Sequence, residues 1–265
     1  MPTMQYQPFV ILDVLGFSKI MKTQPLLKVY DHYMALIITV LSSRGFKTPQ
    51  FVLFSDTVCI FPSSANDTET SIRDVVHYTS VLIGTSIKIQ EATFSVGEKF
   101  VIPLRGAVSF GEFLADPARE VLPNLKLPVI LGRPVVEAHE WEKSQKWIGA
   151  SLVPGTEELI KKKNPKLLDE LLSEHYLIPW DVPTTHGLVS TLALNYVGNN
   201  KSVADILHQA LCKAEEEAKE AEDISEAEKL SIEAKYKAAR LFVEHISQRE
   251  LYAPLHPYAP SLDKQ

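Results

Sequence analysis

Residues 10–18 read VILDVLGFS, and residues 51–57 read FVLFSDT. In each stretch an aspartate, Asp13 or Asp56, ends an apolar run that is typical of a buried strand, and small or turn-forming residues follow at once. A carboxylate at the rim of an apolar sheet is costly unless a cation or strong hydrogen-bond donors receive it. Two such carboxylates on neighbouring strands would suit a hard divalent cation such as Mg²⁺ or Mn²⁺. The alternative is that each aspartate only caps the helix or turn that follows it.

The composition is that of an ordinary globular protein, with 265 residues, of which 45% are hydrophobic and 23% charged. The net charge of −6 argues against a protein that holds nucleic acid by bulk electrostatics, although it leaves room for a local basic pocket. Two cysteines, Cys59 and Cys212, support neither a disulfide framework nor a zinc site and favour a reducing cytosol. Residues 1–8 lack the features of a signal peptide, and no apolar stretch reaches the roughly 18–20 residues of a membrane span. We therefore expect a soluble, cytoplasmic protein.

The hydrophobic pattern predicts the order strand, helix, strand, strand, helix, strand, followed by strand, helix, strand. The first six elements follow the βαββαβ arrangement of an α+β fold, an antiparallel sheet with helices on one face. Residues 51–54 and 58–61 form a hairpin whose tip carries Asp56. Apolar residues recur at helical spacing in the first helix, at Leu26, Leu27, Tyr30, Tyr33, Met34, Ile37, Ile38 and Leu41.

The character of the sequence changes after Val153, so we divide the chain into a domain of residues 1–154 and a mostly helical extension of residues 155–265. Within the extension, residues 176–191 resemble a connecting loop and residues 192–197 a late strand. Residues 202–248 are helical and highly charged, which predicts a two-helix hairpin or a long projecting helix. This segment either packs along the body or serves as a dimerisation arm, so the extension completes the fold or the dimer. We expect residues 250–265 to form a loose tail.

Four motifs in the first 150 residues resemble the catalytic domain of class III nucleotidyl cyclases. In that family an Asp ends the first strand and an aliphatic-Gly-Phe-Ser/Thr turn follows, as in DVLGFS from Asp13. The second metal-binding Asp lies on a hairpin some forty-odd residues later, and Asp56 follows Asp13 by 43 residues. A strand that begins with Arg and carries a Gly six residues on matches RGAVSFG at residues 105–111, and a helix-opening Gly with Ala six residues later matches Gly132 and Ala138. The resemblance implies a class III cyclase-like fold.

The resemblance also implies a reaction, in which the ribose 3′-oxygen attacks the α-phosphorus and pyrophosphate leaves. Two Mn²⁺ or Mg²⁺ ions per active site would be held by Asp13 and Asp56, with the carbonyl of Val14 as a further ligand. The turn at the helix start would offer backbone N–H groups to the β- and γ-phosphates, and residues beside Asp56 would line the base pocket. The nucleotide-binding residues so implied are Val14, Leu15, Gly16, Phe17, Ser18, Phe54 and Thr57. For Phe54 the alternative is a place in the core.

Arg105 is the third catalytic candidate, beside Asp13 and Asp56. Its guanidinium could stabilise charge at a phosphate or hold the base. The alternative is a salt bridge on the surface or to a partner strand. Glu112, further along the same strand, is a candidate to orient Arg105.

The departures from the family pattern concern base recognition and the transition state. In purine-specific members a Lys four residues before the second Asp and an Asp three residues before the helix-opening Gly recognise the base, and Val52 and Val129 stand there in this chain. The family's transition-state Asn and Arg fall on Val136 and Glu140. The protein is therefore either catalytically inactive or an enzyme with a variant site for a different nucleotide.

Residues 132–149 resemble the corresponding region of the pyrimidine cyclases of bacterial anti-phage signalling, the Pycsar cyclases. That resemblance implies a head-to-tail homodimer that converts UTP or CTP to a 3′,5′-cyclic nucleotide, which then activates a separate effector protein. One subunit would supply the ligands of each metal pair, and Arg105 or another residue of the partner subunit would complete each site. Two alternatives stay open, namely a catalytically inactive scaffold that binds a nucleotide or protein, and an adenylate cyclase with altered base contacts, which Val52 and Val129 disfavour.

Overall fold

The computed structural model describes residues 5–41, 46–63, 68–88, 102–122, 125–198, 200–220 and 224–249. The strands are β1 (Gln5–Val14), β2 (Gln50–Phe54), β3 (Thr57–Phe61), β4 (Leu104–Leu122), β5 (Leu125–Gly132), β6 (Gly149–Leu152), β7 (Leu177–Thr184) and β8 (Gly187–Leu194). The helices are α1 (Phe17–Thr23), α2 (Leu26–Leu41), α3 (Thr68–Lys88), α4 (Arg133–Ser144), α5 (Thr156–Lys163), α6 (Pro165–Ser173), α7 (Lys201–Lys219) and α8 (Glu226–Gln248).

All the strands of the described residues belong to one sheet, in the order β2-β3-β1-β4-β6-β8-β7, with β5 paired to β4 off this path. Among these pairs β4–β6 is parallel and the others are antiparallel. The predicted order of elements is found from β1 to β6, and the order β2-β3-β1-β4 is that of an antiparallel βαββαβ sheet. The α+β fold class and the mostly helical C-terminal part are thus confirmed.

The two faces of β1 pack against different helices, because successive side chains of a strand point to opposite sides. Val10, Leu12 and Val14 belong to the main core, which α2 and α3 cover. Phe9 and Ile11 belong to a smaller core on the other face, where α4 packs. Helices α2 and α3, which belong to the first six predicted elements, therefore lie on one face of the sheet, as predicted. Helix α4 packs on the other face, to which the side chains of Ile11 and Asp13 project.

Helix α2 buries a narrow stripe of residues. The buried residues are Val29, Tyr33, Leu36 and Val40, a series with the spacing of one helix face. Of the eight apolar residues that recur at helical spacing in this segment, Tyr33 is buried, whereas five are exposed, namely Leu26, Leu27, Tyr30, Ile38 and Leu41. The helix carries more apolar residues than one contact face can hold, so helical spacing alone does not identify the buried face.

The C-terminal part differs from the sequence prediction in one hairpin. Strands β7 and β8 occupy residues that were expected to form a connecting loop and a strand at residues 192–197. Pro179 and Pro183 lie in β7, which is the outermost strand at its end of the sheet, where a missing backbone N–H is tolerated. The sequence of this segment resembles a loop because it contains these prolines, but in the structure they lie in an edge strand.

The charged helical stretch forms the hairpin of α7 and α8, and α8 packs along the body of the same chain. Phe242 is fully buried, and its ring centroid lies 5.3 Å from those of Trp147 and Tyr196. The main core contains residues from both sides of position 154, while the division into two units at that position stays a prediction. The expected tail at residues 250–265 lies outside the described residues.

Two glycines of the strand motif allow close packing around β4. A Cβ atom on Gly106 would lie 2.7 Å from the carbonyl oxygen of Ile11, and one on Gly111 would lie 2.7 Å from Cγ of Pro134 at the start of α4. Both distances are too short for a side chain. Glycine at these positions therefore lets β1 and α4 approach β4.

Among the described residues, no helix is both long and apolar enough to cross a membrane.

Candidate active site

Strand register brings three of the predicted site residues together at the end of β1. Asp13 pairs with Arg105 of β4 on one side and with Thr57 of β3 on the other. Directly paired residues project their side chains to the same face of a sheet. Asp13, Arg105 and Thr57 therefore lie side by side, on the face that α4 covers.

The tip of the β2–β3 hairpin brings Asp56 to the same place. Ser55 and Asp56 form a two-residue turn, in which Ser55 takes the left-handed conformation with a φ of 57°. The backbone N–H of Val14 donates a hydrogen bond to the carbonyl oxygen of Asp56 at 3.0 Å. This bond ties the hairpin tip to the end of β1, so Asp56 is a close neighbour of Val14, and its charge acts on Asp13.

Asp13 lies in an environment that disfavours its charge. Burial and the nearby carboxylates of Glu142 and Asp56 together raise the pKa of Asp13 to about 6, although Arg105 and His139 oppose the shift. About a quarter of the Asp13 side chain, 26%, is exposed. A divalent cation bound here would offset the repulsion between these carboxylates. Binding such a cation is the role predicted for Asp13 and Asp56.

The guanidinium of Arg105 is held by groups that the sequence did not identify. Oε1 of Glu142 of α4, whose side chain is 3% exposed, accepts a hydrogen bond from Nε of Arg105 at 2.5 Å and lies 2.5 Å from Nη2 in an ion pair. The backbone carbonyl of Gln145 accepts from Nη1 at 3.1 Å, and Nη2 lies 3.5 Å from Oδ2 of Asp13. Arg105 is thus fixed at the edge of the carboxylate pair, and in this structure it forms the partner-strand salt bridge that was its alternative role.

Glu112, the residue expected to orient Arg105, does not do so. It pairs with Tyr6 near the other end of β1 and is exposed, whereas Arg105 pairs with Asp13. The orienting carboxylate is Glu142, which follows Ala138 by four residues on the buried face of α4. A charged residue in such an apolar stripe is the sequence signal for a buried ionic partner, and it could have identified Glu142.

Gln145 fixes the loop between α4 and β6 beneath the site. Its side chain is fully buried, and its Nε2 donates to the carbonyl of Gly106 at 2.7 Å. Its Oε1 accepts hydrogen bonds from Nε1 of Trp147 at 2.7 Å and from Oγ of Ser151 at 3.2 Å. Because every one of these partners is buried or belongs to the sheet, the carbonyl of Gln145 is held in place toward Arg105.

The turn predicted to hold phosphates is only partly available. The N–H of Leu15 donates to the carbonyl of Pro103 at 2.9 Å, so it is already engaged. Gly16 has a φ of 76°, a left-handed conformation that glycine adopts readily, and it precedes α1. Phe17 packs edge-on against the ring of Tyr33 with centroids 6.3 Å apart, while Gly16 and Ser18 are exposed. A phosphate-binding role for this turn stays a prediction.

The two residues expected to line the base pocket, Phe54 and Thr57, lie in different surroundings. Thr57 is half-buried beside Asp13. The side chain of Val14, whose carbonyl is the expected metal ligand, is buried in the main core. Phe54 is 79% exposed at the end of β2, so the alternative that placed it in the core is wrong. Strand β2 is the outermost strand at its end of the sheet, and for that reason its apolar residues are not all covered.

The oxygen donors at this site fit Mg²⁺ or Mn²⁺. Within the described residues, no group of three or more His, Cys, Asp or Glu side chains is placed to hold a metal ion by itself. Mg²⁺ characteristically binds through one or two carboxylates and completes its shell with water and substrate phosphates. Asp13 and Asp56 provide such a pair, and the metal site of this chain stays a prediction.

Comparison with known proteins finds similarity among solved structures. No protein-family model matches the chain, and no curated protein is significantly similar to it. The adenylyl cyclase CyaB from P. aeruginosa is 14% identical with a TM-score of 0.47, over 72% of this chain and 95% of that one. The guanylate cyclase domain of RhGC from Catenaria anguillulae, in complex with GTP, is 14% identical with a TM-score of 0.44, over 72% and 96%. A bacterial light-regulated adenylyl cyclase is 13% identical with a TM-score of 0.48, over 79% and 58%. At these values the similarity assigns no activity to the chain.

Proposed function

We propose that this protein is a nucleotidyl cyclase, which converts a nucleoside triphosphate to a 3′,5′-cyclic nucleotide and pyrophosphate. One observation carries the proposal, namely that the hairpin tip with Asp56 is tied to the end of β1, where Asp13 lies beside the fixed guanidinium of Arg105. Two carboxylates that can bind divalent cations, next to a positioned cation, suit phosphate chemistry.

Each residue has a role in this proposal. Asp13, Asp56 and the carbonyl of Val14 would hold two Mn²⁺ or Mg²⁺ ions, which would lower the pKa of the ribose 3′-hydroxyl and balance the charge of the triphosphate. Arg105 stabilises the negative charge of the substrate's phosphate groups next to Asp13. With a pKa of about 6 in the metal-free protein, Asp13 carries its charge at neutral pH.

The proposed substrate is a pyrimidine nucleotide, UTP or CTP. Val52 of β2 and Val129 of β5 are half-buried and apolar, so neither can form the hydrogen bonds by which purine-specific relatives recognise the base. The resemblance to Pycsar cyclases supports the same choice. From it we further propose a head-to-tail homodimer, in which nucleotide or partner would cover Phe54, and a product that activates an effector in anti-phage defence.

A second candidate function is that of a catalytically inactive scaffold with a cyclase fold. Val136 and Glu140 stand where the family has its transition-state Asn and Arg, and both are exposed on α4. The carboxylate pair speaks against this candidate, because Asp13 and Asp56 repel each other and a protein without turnover or metal has no use for the arrangement.

The experiment that tests the proposal is incubation of the purified protein with ATP, GTP, CTP or UTP and Mn²⁺, with the products identified by mass. Asp56→Ala should abolish the product, and Asp31→Ala, which removes an exposed aspartate of α2, should not. A single cyclic nucleotide that Asp56→Ala removes would establish the cyclase and name its base. No product from any of the four, with nucleotide binding intact, would favour the scaffold.

A further inference from the structure

A cysteine, a histidine and a glutamate meet where α7 packs along α8, and none of them belongs to the proposed active site. Sγ of Cys212 lies 3.8 Å from Nδ1 of His208, four residues earlier on α7. On the other side of the same ring, Nε2 of His208 lies 3.0 Å from Oε1 of Glu244 on α8. The three side chains therefore form a continuous series of polar contacts from one helix to the other.

Helix geometry explains why these groups are together. Residues four apart lie on one face of a helix, and a side chain leans back over the preceding turn, so the thiol of Cys212 meets the ring of His208. Three residues after Cys212, Glu215 pairs with Arg240, which precedes Glu244 by four residues on α8. Two polar contacts between the helices thus flank Cys212 and hold its neighbours in place.

The contact with Glu244 determines which nitrogen of His208 carries the hydrogen. A carboxylate can only accept a hydrogen bond, so Nε2 is the donor, and in the neutral ring Nδ1 is then an acceptor. That acceptor is the nitrogen that faces the thiol. His208 can therefore take the proton of Cys212, and Glu244 stabilises the imidazolium that forms.

The same geometry suits a reactive thiol and does not suit a metal ion. The thiol contacts one ring nitrogen and the carboxylate contacts the other, so the three groups do not converge on one point. Solvent reaches the series, because 37% of the His208 side chain and 45% of the Glu244 side chain are exposed, and Cys212 is half-buried. A small reagent can thus approach the sulfur.

The other cysteine lies in a different environment and serves as a reference. Cys59 of β3 packs against the smaller core, and burial raises the pKa of its thiol to about 11. At neutral pH Cys59 is therefore almost entirely in the thiol form. Because the thiolate is the nucleophile, we expect Cys59 to react slowly.

We propose that Cys212 is a modification site, at which the thiol exchanges with a small disulfide such as oxidised glutathione. His208 takes the thiol proton, and the thiolate attacks one sulfur of the disulfide. A new bond forms to Sγ of Cys212, the sulfur–sulfur bond of the reagent breaks, and the departing thiolate receives the proton from His208. The disulfide is the oxidant, and this inference is independent of the proposed cyclase activity.

The test follows mixed-disulfide formation by intact mass, in Cys59→Ser, which keeps Cys212, and in Cys212→Ser, which keeps Cys59. With oxidised glutathione at neutral pH, Cys212 should react roughly 10-fold or more faster than Cys59. Added to Cys59→Ser, His208→Gln should slow the reaction roughly 10-fold or more, because the general base is lost. Glu244→Gln should slow it by a smaller factor. Glu226→Gln, which changes an exposed glutamate in the first turn of α8, should leave the rate unchanged.

A measurement in alkaline solution separates proton transfer from access to the sulfur. Well above the ordinary thiol pKa of about 8.5, a thiol ionises without a base, so the rates with and without His208→Gln should converge. The inference is overturned if these two rates are equal at neutral pH, or if Cys212 reacts no faster than Cys59. It is also overturned if the deficit of His208→Gln persists in alkaline solution, since His208 would then only shape access. If circular dichroism shows His208→Gln to be unfolded, Glu244→Gln and the comparison with Cys59 decide.

Discussion

At the end of β1 a single buried carboxylate decides where the guanidinium of Arg105 points. Glu142 accepts from Arg105 at 2.5 Å, whereas Asp13 lies at 3.5 Å from the same guanidinium. Arg105 and a metal ion would compete for Asp13, since each neutralises the same charge. By holding Arg105 more closely than Asp13 does, Glu142 leaves Asp13 able to meet a divalent cation while the positive charge stays close.

We therefore expect Glu142→Gln to weaken the use of metal by the protein. Without its carboxylate partner, Arg105 should move onto Asp13, and, for the proposed cyclase activity, the Mn²⁺ concentration that gives half of the maximal rate should rise roughly 10-fold. Glu158→Gln, which changes an exposed glutamate of α5, should leave that concentration unchanged. Tryptophan fluorescence would show whether both variants are folded. If they are, an equal dependence of activity on the Mn²⁺ concentration in the two would contradict this role for Glu142.

Strand register explains which site residues were predictable. The apolar runs around Asp13, Asp56 and Arg105 predict strands, and antiparallel pairing then brings these residues to one edge. Glu142 could not be placed in the same way, because it comes from α4, and how a helix packs across a sheet is not set by local periodicity. Sequence spacing thus predicts the neighbours of a strand residue better than the helical side chains that cover it.

At the level of elements, the strands in the middle of the sheet were predicted, as was β2 at one edge, whereas β7 at the other edge was not. Strands β1 and β4 lie between neighbours and between helices, so their long apolar runs have one interpretation. Strand β7 is an edge strand with prolines, and β2 is an edge strand that leaves Phe54 exposed. Edge strands need not hide their apolar residues or donate every hydrogen bond, and their sequences are accordingly ambiguous.

The hairpin of α7 and α8 depends on one buried carboxylate, and its stability should depend on pH. Although burial alone would raise the pKa of Glu215, the hydrogen bonds from Lys219 and Arg240 outweigh it and lower that pKa. A carboxyl whose pKa is lowered by folding stabilises the protein above its unfolded pKa and loses that contribution as the pH falls. Glu215→Gln should therefore cost about 2 kcal/mol at pH 7, measured by urea unfolding.

The same measurement in acid distinguishes this charge effect from simple packing. The difference between Glu215→Gln and the unchanged protein should shrink as the pH falls below the ordinary glutamate pKa toward the lowered value. Glu217→Gln, in which an exposed glutamate of α7 is changed, should cost well under about 1 kcal/mol. A cost for Glu215→Gln that is equal at neutral and acid pH would show that the charge of Glu215 does not hold the hairpin.

Over the whole molecule, the sheet and the main core extend across the predicted division at residue 154. Strand β6, which precedes it, pairs with β8, which follows it, at Ser151 and Ala193. Trp147 is fully buried, and its ring packs against Phe242 near the end of α8. Burial of large apolar side chains such as these supplies the main free energy of folding. Residues 1–154 and residues 155–249 therefore stabilise each other.

A fragment of residues 1–154 should for this reason fail to fold by itself. It would expose Trp147 and Ile148, which are fully buried in the intact chain, and would leave β6 without its partner β8. In the full chain, unfolding in urea should give coincident transitions by far-ultraviolet and near-ultraviolet circular dichroism, as a cooperative unit does. The fragment should show a weak near-ultraviolet signal and no sharp transition. A soluble fragment with its own steep, coincident transition would instead mean that residues 1–154 are an independent domain, and that residues 155–249 are attached to a core that is already complete.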